Sequence, residues 1–113
     1  MSVTIESRLS GDVTILDVAG KITLGDGSVV LREKVKELVA GGNKKVLLNL
    51  GNVSYIDSSG IGELVAAFTS ISNGGGALKL LHLTKRVQDL LQITKLYTVF
   101  EVFDDEAKAI ASF

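Results

Sequence analysis

The chain has 113 residues, 12 of them basic and 13 acidic, for a net charge of −1. That balance, with no Lys/Arg block, offers nucleic acid no electrostatic footprint, and the absence of cysteine excludes disulfides, thiol catalysis and zinc–thiolate sites. One histidine, His82, is too few imidazoles for a dedicated transition-metal site, so neither a metal nor a cofactor is expected.

The length suits a single domain over residues 1–113, large enough to bury a core without staples. Mean hydropathy is +0.36, high enough to suggest strands buried on both faces or a surface covered by a partner. No apolar run approaches the roughly 18 residues of a membrane span, so no membrane insertion is expected. The N-terminal stretch lacks the basic and apolar regions of a signal peptide, and the expected location is cytoplasmic.

In chain order, Val3, Ile5 and Leu9 alternate with polar residues, as on one face of a strand. The turn residues Ser10-Gly11-Asp12 lead into a second strand over Val13–Val18, making a hairpin. Gly20 ends that strand, and Thr23 to Ser28 reads as a loop in which Asp26 or Ser28 can cap a helix. Leu31, Val35, Leu38 and Val39 recur at helical spacing up to Gly41-Gly42.

The apolar run Val46–Leu50 suits a central strand covered on both faces, and Gly51 to Asp57 reads as a loop. Ile61, Leu64, Val65, Phe68 and Ile71 mark the stripe of a second helix. Residues 77–83 form the next strand. Thr84 then caps a helix with Val87, Leu90 and Leu91 inward. Thr98–Phe103 has strand composition, and Asp104-Asp105-Glu106 favours the start of a last helix with Ala107, Ile110 and Ala111 inward. The order β-β-α-β-α-β-α-β-α implies an α/β fold, with a mixed, mostly parallel sheet, an N-terminal hairpin and about four packed helices.

The most unusual local sequence is Tyr55-Ile56-Asp57-Ser58-Ser59-Gly60-Ile61-Gly62, between the best strand and the best helix. Helix N-termini expose unpaired N–H groups, and strand-to-helix turns gather binding function. Asp57 or Ser58 can cap those groups, and Gly60 and Gly62 allow another surface to approach closely. Plain helix capping explains the same residues. No Walker or G-x-G-x-x-G pattern is present. A serine-hydrolase elbow needs G-x-S-x-G and an oriented base, whereas this chain has D-S-S-G and places His82 within an apolar strand.

The run VLLNLGNVSYIDSSGIGEL, Val46 to Leu64, resembles the signature of bacterial anti-sigma factor antagonists of the STAS family. The element order over roughly residues 3–111 is similar as well. The resemblance implies that Ser58 matches the phosphorylated serine of the family and that Asp57 matches its acidic neighbour. It also implies that Ser59 and Gly60 open the helix that docks on a partner. Spacing alone does not choose between Ser58 and Ser59; the resemblance selects Ser58. The partner-binding residues expected on this basis are Asp57, Ser58, Ser59, Gly60, Ile61 and Gly62; Asp26 and Ser28 join them as residues of the loop that opens the first helix and lines the same edge, where a plain capped helix start explains them equally well.

The implied partner is an anti-sigma factor of the histidine-kinase-like ATPase type. It binds the unmodified antagonist and phosphorylates it as a serine kinase, and a PP2C-type phosphatase resets the switch. Gly20-Lys21-Ile22-Thr23 departs from the Gly-Glu-hydrophobic-Asp common in the family, replacing acidic groups by a basic and a neutral one. A constitutive STAS scaffold or an accessory subunit of a transporter or stress-signalling complex is the alternative role, in which Ser58 is a helix cap. An enzyme using Ser58 or Ser59 is a third, for which the chain supplies no oriented base.

Overall fold

The computed structural model describes residues 3–113, with the side chain of Asp26 outside the described part. Five strands form one sheet in the order β1 (Val3–Ser10), β2 (Val13–Ile22), β3 (Lys45–Ile56), β4 (Ala77–Leu81) and β5 (Val102–Phe103). β1 and β2 form the expected antiparallel hairpin, Val3 opposite Gly20 and Ser10 opposite Val13, across a turn in which Gly11 takes φ +63°. The other three pairings are parallel, as crossovers through helices require. Four helices join them: α1 (Asp26–Ala40), α2 (Ser58–Asn73), α3 (Lys85–Thr94) and α4 (Glu106–Ala111).

Strand alternation sends β3 into two cores at once. Val46, Leu48 and Leu50 join Leu16, Val18, Leu78 and Leu80 under α1, α2 and α3, which contribute Leu31, Val35, Ile61, Leu64, Ile71, Val87 and Leu91. Leu47 faces the other way, with Val13, Ile15 and Leu81, beneath Ala109 of α4. Burial on both faces is the origin of the continuous apolar run.

Several expectations are corrected. β3 continues through Gly51–Ile56 rather than looping out, because β2 also continues past Gly20 and two register shifts keep the strands paired. Gly51 is a strand glycine in a tight place: a Cβ there would lie 3.2 Å from that of His82. Leu9, near the hairpin end, is 72% exposed rather than part of a buried face. β4 stops at Leu81, where His82 takes a positive φ. The stretch 98–103 is mostly not a strand. Lys95 turns left-handed, Leu96–Thr98 make a 3-10 turn, and only Val102–Phe103 pair with β4. Phe100 is instead drawn into the core, edge-on to Phe68 at 5.5 Å. In α4 the Asp105 cap sets the helix phase so that Ala109 is buried while Ala107 and Ala111 are exposed.

The face of the sheet away from α1–α3 carries a polar network that the sequence did not announce. Arg8 Nε and Nη2 donate to Asp17 at 2.7 and 3.2 Å, and its Nη1 and Nη2 donate to Glu106 at 2.9 and 2.6 Å. Asn49 donates to Asp17 at 2.8 Å. One guanidinium thus ties the hairpin to α4. Nearby, the buried Lys79 donates to the carbonyl and hydroxyl of Ser112, both at 2.9 Å, and sits over the Phe113 ring at 4.9 Å.

The hydrogen bonds from Arg8 hold the carboxyls of Asp17 and Glu106 below their usual range. A depressed folded-state value means that the stabilisation is fully present above the unfolded carboxylate range near pH ~4 and is lost as pH falls through the lower folded values. Arg8→Ala should cost about 1 kcal/mol at neutral pH, because solvent screens partly exposed pairs. Its stability should also fall less steeply than that of the parent below pH ~4. Urea unfolding across pH measures both, and parallel acid limbs would contradict the assignment.

Candidate functional site

The C-terminal ends of β2 and β3 and the first turns of α1, α2 and α3 meet at one edge of the sheet. This is the edge at which open α/β sheets carry their sites.

The junction is built on close backbone approach. A Cβ on Gly60 would sit 2.6 Å from Cγ1 of Ile56 and closer still to the Ile22 carbonyl oxygen. On the other side, a Cβ on Gly27 would lie 2.6 Å from the Lys21 carbonyl oxygen. The end of β2 is therefore clasped between the starts of α1 and α2, each admitted by a missing side chain.

Asp57 completes the junction. Its Oδ1 accepts from the Gly60 amide at 2.9 Å, its Oδ2 accepts from the Leu24 amide at 3.3 Å, and its own N–H donates to the Ile22 carbonyl at 3.4 Å. One carboxylate thus caps α2 and holds the loop between β2 and α1. Of the two expected caps, the structure uses Asp57. Ser58 becomes the first residue of α2 and is exposed.

The neighbouring residues divide sharply. Ser59 is half-buried. Gly62 is exposed, with open space where a Cβ would go. Gly60 and Ile61, expected among the partner contacts, are buried against the sheet and have no surface to offer. Their pattern signals packing, because only a glycine fits over Ile22 and Ile61 begins the inward stripe.

Ser28 is corrected too. It lies within α1, 5% exposed, and its hydroxyl donates to the Thr23 carbonyl at 3.0 Å. Gly25, at φ +94°, occupies the N-cap position without a side-chain bond. The Asp26 side chain lies outside the described residues, so only its place at the start of α1 is known.

Two features of this edge were missed or left open by the sequence. Tyr55, at the end of β3, is 40% exposed, and the Arg86 guanidinium lies over its ring at 4.6 Å. Arg86 Nε also donates to the Ile56 carbonyl at 3.3 Å. Leu24 is 79% exposed on the loop that Asp57 holds. Deeper along the helices, Arg32 forks onto Glu63 with two bonds of 3.1 Å, tying α1 to α2.

His82 is elsewhere. It stands beside Gly51, five residues and about 16 Å up β3 from Ile56. No group of three metal-ligating side chains occurs among the described residues, and none of their helices is long and apolar enough to cross a membrane.

Two alanine substitutions two positions apart should have opposite effects. Gly60→Ala drives a methyl into backbone and should destabilise by about 3 kcal/mol. Gly62→Ala fills open space within a helix and should stabilise by about 0.5–1 kcal/mol. Chemical denaturation of both variants measures this, and a neutral Gly60→Ala would contradict the close approach.

Comparison with known proteins agrees with this architecture. The STAS domain sequence pattern matches residues 4–109. The anti-sigma-B factor antagonist of Bacillus subtilis is 31% identical over 102 residues, spanning 90% of this chain and 92% of that protein. The Thermotoga maritima protein tm1081 superposes with a TM-score of 0.85 at 25% identity, covering 96% of this chain and 92% of that one. Bacillus SpoIIAA in its phosphorylated form gives 0.75 at 17% identity, with 96% and 98% covered, a likeness of fold. The chain belongs to the STAS domain family.

Proposed function

We propose that the protein is an anti-sigma factor antagonist whose binding is switched by phosphorylation of Ser58. The observation that carries this reading is the separation of roles at the start of α2. Asp57 does the capping and Gly60 and Ile61 do the packing, which leaves the Ser58 hydroxyl exposed and structurally unemployed. The relative from Bacillus subtilis is named for antagonism of an anti-sigma factor, and SpoIIAA, which shares the fold, is known in phosphorylated and unphosphorylated forms.

The unmodified protein would bind its anti-sigma factor through the edge that carries Ser58, Ser59, Gly62, Leu24 and Tyr55. Exposed apolar groups and a helix turn without side-chain bulk at Gly62 allow close contact. The partner, an ATPase of the histidine-kinase-like type acting as a serine kinase, would transfer the γ-phosphoryl group of ATP to the Ser58 oxygen. The bond to ADP breaks as the new O–P bond forms. A PP2C-type phosphatase would hydrolyse the ester and restore binding. Such a cycle belongs in the cytoplasm, where ATP and the transcription machinery are found.

The electrostatics favour an effect on the interface rather than on the fold. A phosphate adds about −1.5 to −2 charges at neutral pH. The helix N-terminus tolerates it, while Asp57 next to it limits any local gain. The buried face of α2 is untouched, because Ser58 points away from it. An interface closed over Ser58 would have to desolvate the dianion, at a cost of several kcal/mol. About 2.7 kcal/mol already weakens binding a hundredfold.

Since Asp57 supplies the cap, Ser58→Ala should change stability by less than about 0.5 kcal/mol. It should retain binding to the cognate anti-sigma factor and resist phosphorylation by it. Ser58→Asp should bind at least about tenfold more weakly. Calorimetric titration of both variants against that partner tests the switch. Equal affinities would favour the constitutive scaffold or accessory-subunit role.

A further inference from the structure

The guanidinium of Arg86 is held at the end of β3, two residues before Ser58 in the chain, by two contacts. Its Cζ lies over the Tyr55 ring, 4.6 Å from the centroid, and Nε donates to the Ile56 carbonyl at 3.3 Å. Both contacts come from the last two residues of β3, and they restrain the side chain of a residue in the first turn of α3. Among the described residues the two Nη groups donate to no protein acceptor and pair with no carboxylate.

The Ile56 carbonyl is two peptide units from Ser58, so its oxygen lies no more than about 7 Å from the Ser58 Cα. A phosphoserine carries its outer oxygens about 5 Å beyond its own Cα. Nε of Arg86 is thus no more than about 10 Å from the Ser58 Cα, a gap that the phosphoserine arm and the Nη groups beyond Nε span when both side chains turn toward each other, without movement of the backbone.

We infer that Arg86 is the internal counter-charge of the phosphorylated state, forming a forked ion pair with a phosphate on Ser58. The inference rests on the reading of Ser58 as a phosphorylation site and adds a regulatory residue to it. A planar fork suits a phosphate better than a point charge does. Stacking on Tyr55 lowers the entropic cost of holding it ready. The pair would offset the repulsion from Asp57 and draw the phosphate onto the protein. It would also take the Arg86 donors away from any partner that uses them.

Other charged groups stand nearby. Asp57 precedes Ser58, Lys21 lies opposite Tyr55 in the β2–β3 register, and Lys85 is paired with Asp89 at 3.0 Å. A comparison that leaves all of these in place isolates Arg86.

The test uses the full chain with phosphoserine installed at position 58 during translation, so it does not depend on what cells do to Ser58. Phosphorus NMR follows the second ionisation of that phosphate against pH in the parent, in Arg86→Ala and in Arg86→Lys. An opposing charge within reach lowers the midpoint. The parent should titrate about half a unit or more below Arg86→Ala, with Arg86→Lys between them. Equal midpoints in the parent and Arg86→Ala would overturn the pairing. Failure of the switch itself would show separately, as equal partner affinities of the Ser58→Ala and Ser58→Asp proteins.

Discussion

The site depends on one close approach, that of the first turn of α2 to the end of β2. Gly60 rests against the Ile22 carbonyl, and the Asp57 amide donates to that same oxygen. With no Cβ at Gly60, the helix sits low on the sheet, and Ile61, Leu64 and Ile71 reach the core beneath it. Gly27 does the same for α1 one carbonyl earlier, at Lys21. Two helix starts are thereby locked to one strand end. The edge that carries Ser58 inherits the rigidity of the core, which suits a site that must present one hydroxyl in one place.

A switch needs a residue that can change charge without unfolding its own support. Here the capping bond belongs to Asp57, which also holds Leu24 of the neighbouring loop. Ser58 lies on the surface beside it. A phosphate at Ser58 would alter what the edge shows to a partner and leave the bonds that build the edge intact. Arg86, held over the Tyr55 ring and bonded to the Ile56 carbonyl, places a cation at the end of β3 without engaging it in a salt bridge among the described residues.

The fold was legible in the sequence wherever periodicity and turn chemistry agreed. The hairpin, the two-sided β3 and the inward stripes of α2 and α3 follow from spacing, as does that of α1 through Leu31, Val35 and Leu38; Val39, on the same spacing, is exposed near the helix end. The errors arose where local composition was overruled by tertiary pairing. Gly51-Asn52 looks like a turn yet lies in β3, because β2 runs alongside it, and His82, just past the end of β4, packs close to it. The β-branched stretch before Phe103 was claimed by the core through Phe100. At the site, the position of the junction was readable from Asp-Ser-Ser-Gly, but which residues face out was not. Gly60 and Gly62 look alike in sequence. One is forced by the Ile22 carbonyl and the other faces open space. Tyr55 and Arg86 lie 31 positions apart, a pairing that no local pattern encodes.

The central claim is that Ser58 carries the switch. Intact-protein and peptide mass spectrometry of the protein purified from its native cells, with phosphatases inhibited, tests it most directly. The account predicts a single phosphate on the peptide containing Ser58, localised to Ser58 rather than Ser59, at an occupancy that changes with growth conditions. A peptide that stays unmodified under every condition, or a phosphate on Ser59 alone, would contradict it.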